Sequence, residues 1–194
     1  MDAQLRFQID WSLWLQWIVA TAAGLLIGVT AGLAINSVAI GVAGEEVGLI
    51  VYWVALGVVV GATIGTLQWL VLRRRFTHTG QWVLVSTAAW VAGWIPTASV
   101  VGLVVGIVAG LLQWVILRRW VARASVWVVA SAVGWTASEA VLRSVGRAGI
   151  SALTFGIAGA AAGAITGGAL VWLSQWPVRE DEPIETAETD PRRR

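Results

Sequence analysis

Four polar side chains interrupt otherwise apolar stretches of this chain and are its candidates for chemistry: Gln68, Gln113, Glu139 and Arg143. Gln68 and Gln113 lie 45 residues apart, each three residues past a glycine. By helical rise each sits ~7 Å inside an arginine corner. A glutamine in lipid must find a partner, and a bond across to a neighbouring helix contributes roughly 0.6–2 kcal/mol. It fits either an interhelical lock or contact with a polar solute, and the four residues together would line a polar path. Glu139 and Arg143 are four apart on one helix face, the spacing of an ion pair. Near the outer end of their span they fit a rim pair whose arginine reaches the headgroups, or a solute or proton site. Trp90 and Trp135 lie near mid-membrane. They fit packing opposite glycines or the wall of an apolar ligand such as a pigment, quinone or lipid tail.

Little else is equipped for catalysis. The sole histidine, His78, lies in the Arg75-Phe76-Thr77-His78 turn without nearby carboxylates, so it makes no metal site. Glu45 and Glu46 read as a solvated loop. Ser86 and Ser131 recur 45 residues apart but have no histidine base. There is no cysteine, which excludes disulfides and thiolate metal sites. All thirteen basic residues are arginine, which removes a Schiff-base lysine. We therefore expect no catalytic residue, no metal and no cofactor. The arginines cluster at helix ends rather than in a stripe among stacking aromatics, so nucleic acid is not an expected partner.

The elements that must position these residues are membrane helices. Of 194 residues, 58% are hydrophobic and 12% charged, against roughly 25% charged in soluble domains. Mean hydropathy is +0.78. Long apolar runs recur from end to end, and in lipid such runs must be helices because every backbone group has to be bonded internally. The expected fold is all-α, with six transmembrane helices: 11–36, 47–72, 81–97, 99–117, 125–142 and 151–172. Residues 1–10 form an N-terminal segment without the features of a cleavable signal. Residues 11–176 form the membrane domain, and 177–194 a polar, disordered tail.

A glycine ladder precedes each glutamine: Gly57, Gly61 and Gly65 before Gln68-Trp69, and Gly102, Gly106 and Gly110 before Gln113-Trp114. Leu72-Arg73-Arg74 and Leu117-Arg118-Arg119 follow. Gly24, Gly28 and Gly32 form a further ladder, and Gly159, Gly163 and Gly167 another, with the Gln-Trp pair replaced by Leu170-Val171. Such glycine zippers line one helix face and let backbones approach; pore lining or oligomer contact are the other readings. Trp82 recurs as Trp127, with Trp17 as a weaker match. The unit is then a helical hairpin, about 11–75, 80–120 and 124–176, in three copies of one orientation related by an axis along the membrane normal.

Six arginines follow the second and fourth spans, and two, Arg143 and Arg147, lie on the opposite side. The positive-inside rule then puts both termini in the cytoplasm. Trp11, Trp14, Trp17, Trp69, Trp82, Trp114, Trp120, Trp127, Trp172 and Trp176 would form an aromatic belt at that interface. The doubled Gln-Trp-x-x-Leu-Arg-Arg after glycine ladders, over residues 57 to 137, resembles uncharacterised bacterial Trp-rich multi-pass membrane proteins. The resemblance implies no catalytic or binding residue. The expected function is a non-enzymatic structural or interaction subunit, or self-associating scaffold, of the inner (plasma) membrane. Its partners would be the lipid bilayer and other membrane subunits or further copies of itself. A small channel or transporter lined by the repeat glutamines is the competing expectation.

Overall fold

The computed structural model describes residues 10–43, 45–77, 79–93, 100–146 and 151–178, and the side chains among these outside 36–47. The expectations for His78, for the Glu45 and Glu46 side chains, for the end of the third span at 97 and the start of the fourth at 99, for Arg147 and for 179–194 fall outside that set.

Six helices occur among the described residues: α1 (Trp11–Ala43), α2 (Glu45–Leu72), α3 (Gln81–Gly93), α4 (Val101–Leu117), α5 (Val126–Ser144) and α6 (Ala152–Leu173). Three are long and apolar enough to cross a membrane, over Trp11–Ile35, Gly48–Leu72 and Ala152–Leu173. α4 is apolar but has 17 residues, and α3 has 13. The 19 residues of α5 include Glu139 and Arg143. α1 runs past the expected end at Asn36 to Ala43. Two residues beyond the end of α5 at Ser144, Gly146 has a φ of 63°, which suits a residue without a Cβ.

The helices close into a ring, each packing on its chain neighbours and α6 returning onto α1. Glycines set the spacing. A Cβ added at Gly24 or Gly28 would lie 2.8 Å from the Cα of Ile64 or Val60. At Gly57 and Gly61 it would meet the Cα of Val91 at 2.8 Å and of Thr87 at 2.6 Å. Gly106 and Gly110 face the Cα of Ala132 at 2.7 Å and of Val128 at 2.8 Å, and Gly159 and Gly163 face Ala22 and Ile18, both at 2.9 Å. Rising numbers on one helix meet falling numbers on the other, so α1–α2, α2–α3, α4–α5 and α6–α1 are antiparallel pairs. Gly32, Gly65 and Gly102 continue these faces against Leu56, Val83 and Trp135. Backbones this close leave no room for alanine, which is how van der Waals packing can hold helices that gain nothing from leaving lipid.

Short contacts tie the arginine-bearing end together. Asp10 caps α1, its Oδ1 accepting from the Leu13 amide at 2.9 Å, and it pairs with Arg75 at the end of α2. Phe76 stacks on Trp120 at 5.1 Å. Beyond α6, the Ala122 amide donates to the Trp176 carbonyl and the Val178 amide to that of Trp120, both at 2.9 Å. Pro177 and Val178, expected in a disordered tail, are therefore held against the segment after α4.

The Leu13 amide, with help from Arg75 and against partial burial, lowers the Asp10 carboxyl below its ordinary 3.8. A lowered folded-state pKa means the contribution is complete above that ordinary value and disappears as pH falls through the lowered one. Asp10→Ala should cost about 1 kcal/mol, as loss of an N-cap does. It should also flatten the acid limb of stability below pH ~3.8. Unfolding of the detergent-solubilised protein across a pH series checks both.

Candidate functional site

Three tryptophans meet on the bundle axis. Trp17 on α1, Trp82 on α3 and Trp127 on α5 are at most 1% exposed, and each pair packs edge to face with centroids 5.7–5.9 Å apart. Each edge-to-face pair contributes about 0.5–1.5 kcal/mol beyond its buried area. This corrects the belt reading for these three. Their indole N–H groups are bonded inside the protein and reach no headgroup. The belt suits others better. Trp11, Trp172 and Trp176 are exposed. Arg73 lies over the Trp69 ring at 5.0 Å and Arg118 over Trp114 at 5.4 Å, while Arg123 lies over Trp176 at 4.4 Å.

The glutamines explain the triad. Trp82 Nε1 donates to Gln68 Oε1 at 3.0 Å, and Gln68 Nε2 donates to Thr21 Oγ1 at 3.1 Å. Trp127 Nε1 donates to Gln113 Oε1 at 2.9 Å, and Gln113 Nε2 to Ser86 Oγ at 3.0 Å. Each glutamine thus joins its own helix to the one before and the one after. Both are buried, so these bonds have no water to replace them. These are the bonds across helices that an interhelical lock requires.

The third station differs. Trp17 Nε1 donates to Thr166 Oγ1 at 3.0 Å. Thr166 lies three residues past Gly163, as Gln68 and Gln113 lie three past Gly65 and Gly110. Thr166, and not Leu170, therefore occupies the glutamine position, and the α6 ladder is Gly159 and Gly163. Gly167 falls where the other helices carry Trp69 and Trp114, and it admits the Trp17 and Trp14 rings at 3.0 and 3.2 Å from an added Cβ. Threonine is too short to reach across. Its hydroxyl donates to the Ala162 carbonyl at 2.7 Å, and Ser131 Oγ, the counterpart of Thr21 and Ser86, has no partner among the described residues.

Thr166→Gln should complete that lock, its Oε1 accepting from Trp17 and its Nε2 donating to Ser131. The longer side chain is favoured by Gly134, which lies against Thr166 and has no side chain of its own there. A gain of roughly 1 kcal/mol is expected, read as a raised detergent melting temperature. Adding Ser131→Ala should cancel most of it in a double-mutant cycle. A Thr166→Gln protein that melts no higher than the parent refutes the vacant third lock.

Glu139 and Arg143 lie elsewhere. Twelve residues past Trp127, Glu139 is about 18 Å further along α5. Its Oε1 pairs with Arg143, whose Nε lies 3.0 Å away. Its Oε2 accepts the Gly102 amide at 2.8 Å, at the start of α4. The expected rim pair is present, and it also fastens α5 to α4. The four residues grouped as one polar path are therefore two separate sites. Between them stand Trp90 and Trp135, perpendicular with centroids 4.9 Å apart.

Above these two rings, toward Glu139, is a cavity of about 560 Å³ to which all six helices contribute. Nothing in the one-dimensional pattern signals it. The small space below the rings, lined by Gln68, Gln113, Ser131 and Thr166, measures about 10 Å³, which is room for one water at most. No group of three metal-ligating side chains occurs among the described residues. Comparison with protein families, characterised proteins and solved structures finds no match to this chain.

Proposed function

We propose that this chain is a six-span integral membrane protein that catalyses no reaction and serves as a structural or interaction subunit, associating with itself or with other membrane proteins. One observation carries the choice over a channel. The bundle axis is closed by Trp17, Trp82 and Trp127, and the glutamines that would have lined a path are engaged in holding Trp82 and Trp127. Opening it would break paired bonds of buried side chains. Apolar side chains such as Leu15, Ile27, Leu84, Val129 and Leu153 cover the outside, a surface suited to lipid or to a neighbouring subunit.

In this reading the chain is three tandem hairpins about an axis normal to a bacterial plasma membrane, akin to the Trp-rich multi-pass proteins it resembles. Both termini are cytoplasmic, on the side of the six clustered arginines. Single cysteines at Thr77 and Ser144, exposed at opposite ends of a naturally cysteine-free chain, test the placement. Thr77→Cys should be labelled only from the cytoplasm and Ser144→Cys only from outside. Cross-linking in native membranes should trap oligomers or hetero-complexes, and reconstituted liposomes should show no solute flux. A conductance that Gln113→Leu alters would favour the channel instead.

A further inference from the structure

We propose that the cavity at the Glu139 end binds a single-chain amphiphile with an anionic, oxygen-rich head. Its size, about 560 Å³, falls in the ~300–1,000 Å³ range of small-molecule sites and is too small for both tails of a diacyl lipid. The walls are apolar, formed by Leu25, Val29, Leu56, Val105 and Phe155 over the Trp90–Trp135 floor. Such walls suit a hydrocarbon chain. The site lies where the proposed membrane placement would let a lipid-borne molecule reach it.

Polar groups within the cavity set the head chemistry. Tyr52 and Ser138 line it while only 7% and 3% exposed. Neither hydroxyl has a hydrogen-bond partner among the described residues. Unpaired hydroxyls on a cavity wall are free to donate to an acceptor on a bound molecule. At the rim, both oxygens of Glu139 are engaged, by Arg143 and by the Gly102 amide. The carboxylate is therefore committed to the protein, and the Arg143 side chain, 56% exposed, borders the cavity. Two hydroxyls and a guanidinium present donors, which match a carboxylate or a phosphate monoester.

The test uses the full-length protein in nanodiscs of neutral phosphatidylcholine and a photoreactive oleate analogue, with cross-linked sites read by mass spectrometry. Adducts are expected at Tyr52, Trp90 or Trp135. Oleate or lysophosphatidate should displace the probe about tenfold better than uncharged oleyl alcohol, and the better of the two identifies carboxylate or phosphate. Arg143→Gln should remove that preference while leaving oleyl alcohol competition unchanged. Ser138→Phe should fill the cavity and abolish the adducts. Adducts confined to the outer surface, at residues such as Val129 and Leu153, or equal competition by oleyl alcohol, would overturn the proposal. Either failure leaves the subunit reading standing, since that is judged by cross-linking and flux.

Discussion

Replacing Gly106 with leucine should force α4 off α5 and lower stability by about 3 kcal/mol or more, the upper range of over-packing. An added Cβ would lie 2.7 Å from both the Ala132 Cα and the Ser131 carbonyl oxygen. Both are backbone atoms of a packed helix and cannot turn aside. Even Gly106→Ala should be destabilising, and leucine adds a branched group where no volume exists. The displacement should spread, because the Trp127–Gln113 bond spans the same helix pair. For a chain of this size the melting temperature should fall by roughly 6–12 °C. Gly80, with nothing within 4 Å of an added Cβ, supplies the control, and Gly80→Ala should be silent. Equal melting of Gly106→Leu and wild type would mean that the α4–α5 approach is not required.

Gln113→Leu should be the most damaging change to a polar residue. It conserves bulk but strands the Trp127 indole N–H and the Ser86 hydroxyl, whose bonds to the glutamine measure 2.9 and 3.0 Å. Both residues are 1% exposed, so water does not take over. At about 1–3 kcal/mol for each orphaned group, tempered by the weaker interhelical bonds measured in membranes, a loss of about 2–4 kcal/mol is expected. Trp127→Phe in the same protein should restore part of it, since removing both partners costs less than stranding one. Strictly additive losses in that cycle would show that the two side chains act independently.

The contrast between these residues shows how far the sequence could be read. Gly106 was legible because glycine every fourth residue marks one helix face. The face needs no knowledge of the neighbour to announce close packing. Gln113 was legible only as a polar group in need of a partner. That partner is on another helix, and no periodicity within α4 points to Trp127 or Ser86. The three axial tryptophans were misplaced for a related reason. They sit near helix ends beside arginine corners, where belts occur, and apolar residues on every face erase the amphipathic signal that would separate inside from outside. A signal did exist. Trp17-Thr21, Trp82-Ser86 and Trp127-Ser131 share one spacing, and counting three residues on from Gly163 finds Thr166.

By itself the sequence determined the all-helical class, the apolar stretches able to span a membrane and the glycine faces. These are one-dimensional properties: lipid demands internally bonded backbone, and helical period maps spacing onto a face. Tertiary structure alone decided that the glutamines bond across to Trp82, Thr21, Trp127 and Ser86, that Thr166 does not reach Ser131, and that Glu139 lies at a separate place on the bundle. Each depends on how six helices are rotated about their own axes. That rotation is set by side chains meeting across the ring, at long sequence separations such as the 149 residues between Trp17 and Thr166.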